Sequence, residues 1–139
     1  MFKMFLMQIQ FLTRIPLPVK IKFDEKRFAK SMILSPLTGL LIGLILGGVY
    51  YLAQMTGKQF FAVVMVVIAE VLITGGLHLD GLADTFDGIF SNRPKNKILA
   101  IMKDSRIGTN GTIALILAIL CKTALLFSIK NAYLVFYLF

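Results

Sequence analysis

The sequence predicts an all-α fold, a polytopic bundle of membrane-spanning helices, and three features carry that expectation. Hydrophobic residues fill 58% of the 139 positions and charged residues only 16%, a composition of integral membrane proteins rather than of soluble domains. Apolar runs at 34–55, 60–77 and 112–127 approach the roughly 20 residues that cross a hydrocarbon core of about 30 Å. Most of the charges gather in two stretches, 1–33 and 78–111, that flank those runs. The whole chain, 1–139, reads as a single membrane domain.

Residues 2–15 are apolar around most of a helical wheel, with Lys3, Gln10 and Arg14 sharing one side and Pro16 and Pro18 closing the segment. It is too short to span and lacks a small-residue cleavage site, so it predicts an interfacial helix. Lys20, Lys22, Lys26, Arg27 and Lys30 then form, with Asp24 and Glu25, a polar segment suited to anionic headgroups. In the first span Gly39, Gly43 and Gly47 recur every fourth residue, a small-residue stripe that lets another helix approach closely, including one from a second copy of the chain. A turn at 54–58 leads to the second span, where Glu70 stands alone among apolar neighbours. An intramembrane carboxylate costs at least about 2.5–3.5 kcal/mol on insertion scales and usually faces the bundle interior.

The next stretch holds the chemistry. Asp80, Asp84 and Asp87 are three of only seven carboxylates, within eight positions. At about 100° per residue they fall near 0°, 40° and 340° on one stripe. No Lys or Glu is interleaved to offset the repulsion, as a solvated face would arrange. Oxygen ligands at this spacing suit a hard divalent cation, Mg²⁺ first, completed by substrate phosphate. Leu79, Leu82, Ala83, Phe86, Ile89 and Phe90 form the apolar back of the same helix. Gly81 and Gly88 flank the acids, where a missing side chain admits a neighbour or a ligand. His78 lies roughly 160° from Asp80 on that wheel and reads as a hydrogen-bonding or substrate-side residue rather than a ligand.

Ser91 to Pro94 breaks the acidic helix, 96–104 reads as a short amphipathic helix, and Ser105 to Thr112 follows as a loop. Gly108 and Gly111 opening onto a helix make a cradle of backbone N–H groups for phosphate, with Arg106 as clamp and Lys103 behind it. Asp104 either completes the metal shell or orients Arg106. The third span carries Lys122 near its far end and Cys121, which reads as a small core residue. The eight residues from Ala132 to Phe139 begin another apolar run but are too few to cross, so the chain is expected to stop inside a span.

Charge sets the orientation. Seven Lys or Arg precede the first span and five lie in 78–111, against Lys58, Lys122 and Lys130 on the other side. The amino terminus and the acidic motif should therefore face the cytoplasm, in a cytoplasmic (inner) membrane. The net charge of +8 comes with no nucleic-acid module, and nucleic acid is not an expected partner.

The run from Thr74 to Gly88 resembles the hallmark of the cobalamin synthase (adenosylcobinamide-GDP ribazoletransferase) family. So do Phe11 to Pro16 and Met102 to Gly111, in the same order. The resemblance covers nearly the whole chain, and family members are considerably longer. It implies an Mg²⁺-dependent membrane transferase that joins adenosylcobinamide-GDP to α-ribazole or its 5′-phosphate and releases GMP. It places Asp80 and Asp84 as metal ligands, Asp87 as ligand or general base, and Arg106 and Lys103 on phosphate. The acidic run is also similar to the motif of CDP-alcohol phosphotransferases, but the Arg that follows Ala there is Asp84 here. A membrane prenyltransferase, a metal-ion transporter using Glu70 and the acidic stripe, and an inactive truncated chain are the competing readings.

Overall fold

The computed structural model describes residues 1–19 and 24–129, so the basic pair Lys20 and Lys22, the turn around Lys130 and the short run 132–139 lie outside the described residues. Within them the regular structure is helical: α1 (Phe2–Leu12), α2 (Glu25–Ser31), α3 (Ser35–Gln54), α4 (Gln59–Thr74), α5 (Leu77–Ile89), α6 (Lys95–Ile101) and α7 (Thr109–Ser128), with a 3₁₀ turn at Met32–Leu34. The protein is an all-α membrane protein. Two helical runs are long and apolar enough to cross a bilayer, Glu25–Gln54 and α7, and the pair α4 with α5 makes a third if counted as one span. Many large apolar side chains on these helices, such as Leu40, Leu44, Leu72, Leu117 and Leu120, are exposed, as lipid-facing residues are.

The helices pack as two compact units, one holding α1 to α4 with the last turn of α7, and the other holding α5, α6 and the rest of α7. In the first, α3 and α4 form a hairpin whose core is Leu46, Tyr50, Ala62, Val63, Val66 and Val67, closed by Leu126. Gly43 and Gly47 are buried there. Two members of the small-residue stripe are thus buried within the chain, and the third, Gly39, is half-buried. α1 is docked rather than free, because Gln8 is fully buried and its Nε2 donates to Ser31 Oγ at 2.7 Å. Ser31 Oγ donates in turn to the Phe28 carbonyl, and Phe11 meets Phe28 edge-on with centroids 4.8 Å apart. Asp24 caps α2 by accepting from Arg27 N, after which the chain runs through the 3₁₀ turn straight into α3.

The second span differs from its expected extent. α4 stops at Thr74, and Gly75 and Gly76 both adopt left-handed φ, 65° and 71°. α4 and α5 are bent by 87° at this break and do not form one continuous helix. The break is held from outside by Arg14, whose N–H donates to the Ile73 carbonyl at 2.6 Å. The Arg14 stem lies across Gly75, where a Cβ would come within 2.6 Å of Arg14 Cγ. Gly75→Ala is expected to cost about 1–3 kcal/mol, since it meets both the left-handed penalty and that side chain. Denaturant melts in detergent would show it, and a variant as stable as the parent would refute the account.

Candidate functional site

The second unit carries the site. α5 begins directly after the glycine pair, and its wheel puts acids and apolar residues on different sides, as the sequence predicts. Ala83 and Gly88 are buried, and a Cβ on Gly88 would meet Met102 Cγ at 2.6 Å and Ile98 Cγ2 at 3.2 Å. Gly88 is therefore where α6 comes close. A Cβ on Gly81 meets nothing within 4 Å, so the other flanking glycine borders open space. α5 ends where Ser91 Oγ donates to the Gly88 carbonyl. Asn92 turns the chain at φ 53°, a conformation Asn tolerates better than most residues, before Pro94 caps α6.

Asp80 is exposed in the first turn of α5 and Asp84 is half-buried one turn on. Their carboxylates make no hydrogen bond or ion pair to any other described residue. Asp87 departs from the expected trio. Its Oδ2 accepts from Gly108 N at 2.6 Å and its Oδ1 from Gly111 N at 2.8 Å. Among the described residues no three His, Cys, Asp or Glu converge as a metal site. Asp80 and Asp84 keep their carboxylates uncommitted one turn apart on α5, while the third carboxylate turns to the loop. The reason is that α7 starts at Thr109, earlier than the expected span. Gly108 and Gly111 then offer helix-start N–H groups, which lack intrahelical partners and attract an anion. The cradle expected to take phosphate is filled by Asp87. A sign of this lay in the wheel: Asp87, near 340°, is the acid closest to Ala83, near 300°, at the edge of the apolar arc.

Arg106 and Asp104 form a second local unit. Arg106 Nη2 donates to Asp104 Oδ2 at 2.7 Å, its Nε donates to both carboxylate oxygens at 3.1 and 3.2 Å, and its backbone N–H donates to Oδ1. The guanidinium side chain is 87% exposed and its Nη1 has no hydrogen bond to a described residue. Asp104 thus orients Arg106, one of the two roles the sequence left open. These side-chain and backbone hydrogen bonds hold the Asp104 carboxyl at about 2, below its ordinary 3.8, and Asp104 raises the Arg106 pKa. The contact is complete above the ordinary carboxylate value and is lost as pH falls through about 2. Arg106→Gln is expected to return Asp104 toward 3.8, read by carbon NMR of labelled aspartate, and an unmoved midpoint would contradict the contact.

Lys103 is exposed just beyond α6, and His78 is exposed near the start of α5. Cys121 is exposed rather than in the core, because the apolar surface of α7 extends over most of that helix. Chemically, the unit offers two uncommitted carboxylates on one helix and two exposed cations near one loop. That set suits a phosphate ester with a hard cation. Magnesium commonly takes one or two protein carboxylates and fills its remaining positions with water and substrate phosphate, so Asp80 and Asp84 fit it by donor chemistry.

Comparison with known proteins gives a consistent family. A family model described as cobalamin-5-phosphate synthase matches residues 4–139. An adenosylcobinamide-GDP ribazoletransferase of Clostridium acetobutylicum is 46% identical over 134 residues, covering 96% of this chain and 53% of that protein. The protein of the same name from Acetivibrio thermocellus is 47% identical over 127 residues, covering 91% and 51%. That of Listeria welshimeri is 44% identical over 137 residues, covering 99% and 55%. The chain spans about half the length of the curated relatives it matches. No solved structure matches it.

Proposed function

The chain belongs to the cobalamin-5-phosphate synthase family, and on that premise we propose that it is a membrane transferase joining adenosylcobinamide-GDP to α-ribazole or α-ribazole 5′-phosphate. The observation that carries the reading is the pairing, in one compact unit, of the uncommitted carboxylates Asp80 and Asp84 with the oriented Arg106. A ribose hydroxyl attacks the phosphorus on the cobinamide side of the diphosphate. The new O–P bond forms as the bond to the bridging oxygen breaks, that oxygen leaves with GMP, and the proton of the hydroxyl passes to water. Negative charge grows on the leaving oxygen, so groups that meet it as it develops lower the barrier.

Each residue has a part in this reading. Asp80 and Asp84 would hold magnesium, which when bound supplies charge neutralisation at the phosphate oxygens. Arg106, kept in one orientation by Asp104, presents its free Nη1 to a phosphate oxygen, and Lys103 adds a mobile point charge. Basic residues concentrated before the first span and in 78–111 support an active site on the cytoplasmic side of an inner membrane.

The deciding experiment incubates membranes containing the protein with adenosylcobinamide-GDP and α-ribazole, with and without Mg²⁺, and identifies the small product by chromatography. GMP released only with the metal and both substrates is the expected result. Release of inorganic diphosphate would point to a prenyltransferase type of reaction, and no nucleotide product would reject the proposal. Arg106→Ala should lower kcat/KM by about 10²-fold, the value of a charge-assisted hydrogen bond pair in a polar site. Arg106→Lys should recover only part of it, because the ammonium lacks the planar fork.

A further inference from the structure

We infer that Asp87 is a positioning residue that fixes the start of α7 and the loop bearing Arg106, and is neither a metal ligand nor the base for the nucleophile. The role of that loop rests on the functional reading above; the way it is held does not.

Both carboxylate oxygens of Asp87 are committed. Oδ2 takes the Gly108 N–H at 2.6 Å and Oδ1 takes the Gly111 N–H at 2.8 Å, so one side chain ties two points of the backbone from 21 and 24 residues away. Charge-assisted bonds to N–H groups at a helix start are among the stronger hydrogen bonds available, and the dipole of α7 favours the anion there. The fit leaves no room for another group. A Cβ on Gly108 would stand 2.9 Å from the Asp87 carboxyl carbon. One on Gly111 would stand 2.9 Å from the Ala83 carbonyl oxygen and 3.0 Å from the Asp87 carboxyl carbon. Two glycines are needed because a carboxylate sits directly against the backbone.

A consequence for the substrate follows. The N–H groups of Gly108 and Gly111 are already taken by Asp87, so the two glycines do not offer a phosphate cradle, and the side chains of Arg106 and Lys103 carry the recognition of a diphosphate. Arg106 precedes Gly108 by two positions, so the Asp87 contacts set where the loop ends while Asp104 sets how the guanidinium is turned.

The test uses the full chain in detergent with Asp87→Asn, Asp87→Ala and Asp84→Asn. Asparagine keeps the shape of the side chain but offers one acceptor oxygen, and its NH₂ opposes the second backbone donor. Amide hydrogen exchange at Gly108 and Gly111 should quicken about 10-fold or more in both Asp87 variants, since the protecting bonds are lost locally. Mn²⁺ binding, followed by its EPR signal, should stay within about twofold of the parent in Asp87→Asn and weaken by about 10-fold or more in Asp84→Asn. The KM for adenosylcobinamide-GDP should rise by about 10–100-fold in Asp87→Asn, as for other residues that orient a binding group. Unchanged exchange at Gly108 and Gly111, or Mn²⁺ binding weakened as much by Asp87→Asn as by Asp84→Asn, would overturn the inference. A parent protein that releases no GMP removes the functional reading alone, because exchange and Mn²⁺ binding are read without turnover.

Discussion

Asp84→Asn is expected to lower GMP release by about 10²–10³-fold, the largest effect of any single substitution proposed for this protein. A bound metal contributes several kcal/mol of charge stabilisation to a phosphoryl transfer, and each 1.4 kcal/mol or so is about tenfold in rate. Asn keeps the volume and one acceptor but removes the negative charge, so folding is preserved while affinity for a hard cation falls. Asp84 makes no hydrogen bond to a described residue, so little structural cost accompanies the change. The measurement is GMP formed per unit of membrane protein across a Mg²⁺ titration, and the variant should need far more metal for whatever activity remains. Asp80→Asn should behave alike, and His78→Ala, at an exposed position, should stay within about threefold. Full activity in Asp84→Asn at the parent's metal requirement would remove Asp84 from the metal.

Gly111→Ala is the second large effect, and here the loss is structural. The added methyl would press on the Ala83 carbonyl oxygen at 2.9 Å and on the Asp87 carboxylate. The first is backbone in mid-helix and cannot swing away, so the cost of overpacking, about 1–3 kcal/mol, outweighs the gain of up to about 1 kcal/mol from replacing a helical glycine. The expected outcome is a lower melting temperature in detergent together with loss of most activity. Gly81→Ala gives the opposite sign. Its Cβ meets nothing within 4 Å, so α5 should gain about 0.5–1 kcal/mol from helix propensity alone. If both variants melt alike, close approach at Gly111 is not what that glycine serves.

Much of this was legible in the sequence because helical periodicity and membrane hydropathy are local properties. The first span was expected at 34–55, and α3 runs Ser35–Gln54, since nothing in that stretch competes with the helix until the turn at Gly57. The alignment of the acidic stretch was equally local, three Asp on one wheel. The glycines of the first span were legible as a close-packing stripe but not as to partner. Only the folded chain shows Gly43 and Gly47 buried, on the helix whose Leu46 and Tyr50 enter the core shared with α4.

Other points could not be read from spacing. The break after Thr74 needed Arg14, a residue 61 positions from Gly75, to lie across the turn. The expectation of a phosphate cradle at Gly108 and Gly111 was a sound reading of a loop with unsatisfied N–H groups, but it did not say which anion would reach them first. Asp87 reaches them because α5 and the start of α7 lie side by side within one unit.

By itself, then, the sequence determined the class of protein, the extent of most helices, and which residue types could carry phosphate chemistry, because hydropathy and the 3.6-residue period depend only on near neighbours along the chain. Tertiary structure alone decided which of three similar carboxylates is bound to the backbone. Asp80 and Asp84 remain open, while Asp87 is drawn to two backbone N–H groups from a distant segment, and the energy of an anion depends on what charge and which donors surround it in space.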